Sequence, residues 1–185
     1  MYHIKNDKRA QASSELICAG LLACMKEKPF ARITITDVQR ASTVSRSTFY
    51  RNFDCLEDVL ALLCDRGFQA VFTEYNALPP AQRGSLAKAV FQYWFRNSAV
   101  LEALVQIHQT DILFDSLRRS SGLIEALQPM ADDPARFDYF VAIITSAMIG
   151  VLTVWVEHGK TETENQMVQK LTSTFIEMAI LELPG

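Results

Sequence analysis

The sequence predicts an all-α fold in two parts, a group of short helices followed by a set of longer ones. Apolar residues recur at steps of three and four along almost the whole chain. Only 7 glycines and 6 prolines occur in 185 residues, too few for a structure built of tight turns. No stretch alternates apolar and polar residues over the length of a strand. With 49% hydrophobic and 21% charged residues, the chain can bury a sizeable core.

From Asp7 to Lys28, Leu16, Ile17, Leu21, Cys24 and Met25 mark one amphipathic helix, which Pro29 stops. Thr34, followed three residues later by Asp37, has the form of a capping box for a second helix, Ile35 to Ser42. Thr43-Val44 turns the chain, and Ser45 can cap a third helix, Arg46 to Asn52. Helices this short are unstable alone, so Ile35, Val38, Val44, Phe49 and Phe53 must face neighbours. A fourth helix runs from Cys55 to about Tyr75, with Leu56, Val59, Leu60, Leu63 and Phe68 inward. NALPPAQRG, residues 76–84, ends it with two prolines and a glycine and is the best boundary in the chain. Beyond it, helices are expected over Ser85–Asn97, from a Ser98 cap to about His108, and over Asp111–Leu127 with an interruption at Ser120-Ser121-Gly122. Asp133-Pro134 opens a helix that Gly159 closes, and a last helix spans about Glu162–Glu182. The expected organisation is therefore 1–54, a connecting helix 55–76, and 77–185.

Charge divides along the same line. Residues 1–53 carry a net +5 and the remainder −8, which together give the overall −3. A basic head on an acidic body suits contact with a polyanion through the head alone. What points outward on the third helix is Arg46, Ser47, Thr48, Tyr50, Arg51 and Asn52, the donors required by phosphates and base edges. Two short helices joined by a tight turn make the homeodomain-like helix-turn-helix arrangement that places such a helix in a major groove.

Positions 26–60, KEKPFARITITDVQRASTVSRSTFYRNFDCLEDVL, resemble the N-terminal domain of the TetR/AcrR family of bacterial transcriptional regulators. Phe30, Thr34, Ile35, Asp37, Val38, Ala41, Val44, Ser45, Thr48-Phe49-Tyr50, Phe53, Glu57 and Leu60 carry the likeness. The resemblance implies a double-stranded DNA operator as partner, phosphate contacts from Thr34, Ser45, Thr48 and Tyr50, and base reading by Arg46, Ser47 and Arg51. Three positions depart from the pattern: Thr43 where a turn glycine is usual, Leu56 where a lysine opens the fourth helix, and Gln39 where a small residue is usual. Leu56 removes one expected phosphate contact and is expected to leave an apolar side chain near the DNA edge.

Tyr139 to Val156 contains no charge over 18 residues, and the expectation is a helix buried between its own domain and a second subunit rather than a membrane span. Ala142, Ser146 and Gly150, at four-residue steps, permit close helix approach. Leu171, Phe175 and Met178 supply a matching stripe on the last helix. The resemblance implies a four-helix homodimer interface made from two copies of this pair, which would present two recognition helices one DNA turn apart.

A small apolar or aromatic effector, if bound, is expected among Phe91, Trp94, Phe95, His108, Phe114, Met148 and Trp155. With such a site, the resemblance implies a transcription repressor released by its ligand. The alternative is an adaptor or activator of the same fold whose C-terminal domain binds a protein partner. A solvent-accessible cavity among the middle helices marks the first, and a filled core with an exposed apolar groove the second. Nothing suggests an enzyme or a cofactor: there is no Gly-rich phosphate loop, HExxH or GxSxG, and His3, His108 and His158 stand apart. Cys18, Cys24, Cys55 and Cys64 form no CxxC pair and read as thiols in a reducing cytosol. MYHIKNDKRAQ lacks the apolar run of a signal peptide, so a cytoplasmic location is expected.

Overall fold

A computed structural model describes residues 2–123 and 133–181, and every regular element among them is helical. Asp7 accepts the N–H of Ala10 at 2.8 Å and starts α1 (Lys8–Glu27). A single 3-10 turn, Phe30–Arg32, leads to α2 (Ile35–Ser42), and α3 (Arg46–Asn52) follows. The capping box of α2 is complete: Asp37 accepts the N–H of Thr34, while Thr34 accepts that of Asp37. Thr43 closes α2 in the left-handed region at φ 59°, so a β-branched residue makes the turn that glycine makes without strain.

Val38, Phe49 and Phe53 are buried and anchor the two short helices on α1, while Ile35 and Val44 are half-buried. At Gly20 the approach of α1 to α2 leaves no room for a methyl group: a Cβ there would stand 2.8 Å from the Cβ of Ser42. These helices form the head. They pack on α4 (Leu56–Ala77), which continues into the body and touches α5 (Leu86–Arg96), α6 (Ser98–Gln106) and α7 (Asp111–Ser120). Residues 76–84 fold back on the end of α4, with Arg83 donating to the carbonyls of Asn76 and Leu78 and Tyr75 to that of Gly84. Head and body share one continuous core, from Ile17 and Leu21 through Leu60 and Phe68 to Trp94 and Leu104.

α8 (Pro134–Glu157) starts on Asp133, as expected, and packs on α6, α7 and α9 (Glu164–Leu181). By length and composition α8 could cross a membrane, with a mean hydropathy of 2.1 over its most apolar window. Val141, Met148, Leu152 and Trp155 bury one side of it in the body.

Some boundaries differ from expectation. Ser98 does not cap α6; it is the first helical residue, follows Asn97, and its hydroxyl donates to Glu102 at 2.7 Å. The helix stops at Gln106, before His108, which turns the chain at φ 56°. α7 ends at Ser120 in a 3-10 turn, Ser121–Leu123, and the remainder of the expected 111–127 helix lies outside the described residues, as does Glu182.

Candidate nucleic-acid interface

The N-terminus of α3 is organised by hydroxyls. Ser45 accepts the N–H of Thr48 at 3.3 Å, donates to Thr48 Oγ1 at 3.0 Å and lies 3.1 Å from Ser47 Oγ. Beyond this cluster, Arg46 reaches along the helix to Tyr50, donating to its hydroxyl at 3.3 Å with the guanidinium 5.5 Å from the ring centre. Tyr50 is held edge-on against Phe49 at 5.6 Å, so a buried ring steadies an exposed one and, through it, an arginine. Ser45, Arg46, Ser47, Tyr50 and Arg51 are exposed and Thr48 is half-buried. The face that the sequence assigns to DNA is thus brought together on one side of one short helix.

Two members of the expected set are placed differently. Asn52 is only 2% exposed and its amide donates back to the carbonyl of Thr48 at 3.0 Å, which corrects its reading as an outward donor. As the last residue of α3 it turns in toward the head. Thr34 is exposed, but both its N–H and its hydroxyl donate to Asp37, at 2.8 and 2.6 Å. Asp37 also receives Lys28 at 2.8 Å, and these donors hold its carboxyl well below the usual carboxylate range. A third expectation fails at Leu56, which is not at an edge: it is 9% exposed and belongs to the core at the start of α4.

The six residues assigned to a subunit interface share one surface. Ala142, Ser146, Gly150, Leu171, Phe175 and Met178 line an open groove of about 720 Å³ between α8 and α9. A Cβ on Gly150 would meet nothing within 4 Å, so the small residues face the groove and not a neighbouring helix of the same chain. Trp155 forms one end, stacked on Phe95 with ring centres 4.1 Å apart and planes 3° from parallel, its indole N–H donating to the carbonyl of Glu162 at 3.1 Å.

The seven residues expected around an effector are not gathered in this way. Phe91, Trp94 and Met148 fill the core, His108 is exposed, and Phe95 and Phe114 are half-buried. Trp155 lines the groove of about 720 Å³, and none of the seven lines the concavities of about 310 and 150 Å³ elsewhere on the surface. Close packing explains this: Trp94 stands edge-on to Phe68 and to Tyr93, in each case at 5.3 Å, and the Tyr93 ring occupies the space a side chain at Gly67 would need. One polar atom in this core is unmatched, the Trp94 indole N–H, which is buried with no acceptor among the described residues.

Sequence reasoning missed the polar seam between head and body. Asp65 on α4 accepts from the Tyr2 hydroxyl at 2.6 Å, from Arg119 on α7 at 2.8 Å and from the Ser116 hydroxyl. Arg66 reaches the other way, donating to Ser14 on α1 at 3.1 Å. Burial and the bond to Asp65 push the Tyr2 phenol up to about 12. The available signal was an acid and a base side by side in the apolar run LLCDRGF, residues 62–68, where charges need partners.

A TetR-type family model described as a transcriptional regulator C-terminal region matches residues 85–177. In solved structures the chain is similar to a protein from Syntrophomonas wolfei str. Goettingen described as a TetR-family transcriptional regulator. The two share 18% identity at a TM-score of 0.64, over 94% of this chain and 97% of that one. No curated protein matches the sequence. The family match falls on the body, over residues 85–177, whereas the motif likeness lies in residues 26–60.

Proposed function

Because the chain belongs to the TetR family of transcriptional regulators, we propose that it is a sequence-specific DNA-binding repressor, homodimeric and cytoplasmic, released from its operator by a small apolar or aromatic effector. The observation that carries the DNA reading is the exposed set Arg46, Ser47, Tyr50 and Arg51 on a Ser45-capped helix of the basic head. Arginine is the side chain suited to bidentate reading of guanine, and the hydroxyls beside it suit phosphates. Homodimerisation draws on the groove between α8 and α9, where an apolar face of this size needs a matching one. Effector release draws on the family and on the Trp94 N–H, a buried donor that a ligand with one acceptor and an apolar frame would satisfy only by opening the packed core around it.

The test is binding to an operator selected from random duplexes. Arg46→Ala is expected to weaken operator binding by about 1–3 kcal/mol and to relax the preference at one base position. Unchanged affinity and preference would reject α3 as the reading helix.

The filled aromatic middle, beside an open apolar groove, favours a second reading in which the body binds a protein partner and the chain acts as an adaptor or activator. The two readings compete for one surface. Sedimentation at about twice 20.8 kDa supports the homodimer, and a monomer with operator binding intact supports the partner.

A further inference from the structure

We propose that a notch between the N-terminal segment and α3 holds one backbone phosphate of the DNA, making Lys5 and Arg9 binding residues outside the helix-turn-helix. This rests on the DNA-binding reading above. The notch, of about 150 Å³, is lined among others by Lys5, Asp7, Arg9, Ser13, Thr48 and Arg51. Three cations and two hydroxyls thus converge from two separate segments. The single acid among them is committed elsewhere, since Asp7 accepts the first-turn N–H of Ala10. Among the described residues no ion pair involves Lys5, Arg9 or Arg51, whereas Lys28, Arg119, Lys160 and Lys170 all have acidic partners.

Two features identify the ligand. Thr48 and Arg51 belong both to the notch and to the side of α3 assigned to the operator, so whatever occupies the notch is continuous with the molecule α3 touches. No aromatic side chain lines it, so a base finds nothing to stack on and an anionic oxygen finds donors.

Lys5 is also placed in advance. The N–H of His3 donates to the carbonyl of Asn52, the last residue of α3, at 3.0 Å. The Tyr2 hydroxyl is tied to Asp65, and Ile4 packs on the core. A lysine on a pinned segment binds without first ordering the chain that carries it.

The experiment compares operator and scrambled duplexes over a salt series for the wild type, Lys5→Ala/Arg9→Ala and Lys8→Ala, the last removing a charge from the same turn that does not line the notch. The double variant is expected to keep its melting temperature, because both side chains are exposed. It should lose about tenfold in affinity for both duplexes and lower the slope of log K against log salt by about one for each bound head, hence about two for the dimer. Lys8→Ala should leave the slope unchanged. An unaltered slope in the double variant, a loss confined to the operator, or an equal effect of Lys8→Ala would overturn the notch while wild-type operator binding leaves the DNA reading standing. Failure of the wild type to bind any duplex sinks that reading and the notch with it.

Discussion

The head hides Val38, Phe49 and Phe53 and shows solvent Arg46, Ser47 and Arg51, whereas α8 and α9 leave Tyr139, Ile143, Ile176 and Met178 more than half exposed. Both regions are made of helices with one apolar side and both contribute to the same core. They differ in what remains after that core is closed. In the head, two helices of 8 and 7 residues have just enough apolar surface to fix themselves to α1 and to each other, and most of their remaining side chains are polar. In the body, a 24-residue helix carries more apolar surface than the described residues cover. The head therefore closes its apolar side and turns a polar one outward, while the body keeps an apolar face that the proposed subunit contact would cover.

That contrast concerns surfaces, and it requires the interior of the body to be as tightly packed as the head. Trp94→Ala is expected to cost about 3–5 kcal/mol of stability, measured by denaturant unfolding. A cost below about 1 kcal/mol would show a loose interior and would remove the contrast. Gly150→Leu is the sharper test of the outer face, because the protomer has open space at that Cβ and gains helix propensity from the change. It should fold at least as well as the wild type, sediment as a monomer and lose about 100-fold in operator affinity as two linked heads become independent. An intact dimer in that variant would place the subunit contact elsewhere. In the head, Thr43→Gly should stabilise by about 1 kcal/mol, because relief of the left-handed strain outweighs the entropy of the unfolded glycine. A lower melting temperature would show that the turn depends on the threonine side chain.

The smallest effect lies at the seam. Tyr2 has a raised phenol, so its bond to Asp65 contributes fully below about pH 10 and is lost as pH rises toward about 12. The stability difference between wild type and Tyr2→Phe should shrink over that interval. A difference constant from pH 9 to 12 would mean that Asp65 gains nothing from the phenol.

Caps and periodicity made most of the helices legible in the sequence. Thr34-Asp37, Ser45 and Asp133 cap as expected, because a cap is a local interaction within four residues, while Asp7 and Ser85, expected inside their helices, are caps as well. Ser98 misled for a related reason. Cap and first-turn positions accept the same residue, and only the backbone at Asn97 distinguishes them. The outward face of α3 was readable from its inward neighbours, except at Asn52, where the helix ends and periodicity no longer fixes direction. The six groove residues also fell where the stripe pattern put them. An effector site was not readable, since aromatic residues signal bulk in one line of sequence and give no sign of whether that bulk encloses space or fills it. Trp94 fills it. The Asp65 network joins residues 51 to 63 positions apart, beyond the reach of any local pattern.

Gly20 leaves no methyl's width between α1 and α2, and this interlock has a mechanical meaning. Helices meshed that closely cannot slide past one another, so the head transmits force as a gear tooth does, without yielding. A displacement delivered through α4 to α1 carries α2 with it, so in the proposed dimer the two heads would change in separation and tilt and not in internal shape. In the dimer proposed above, an operator with half-sites about 34 Å apart would be the gauge against which such a displacement is read, and a small rotation far from the DNA would take both heads out of register.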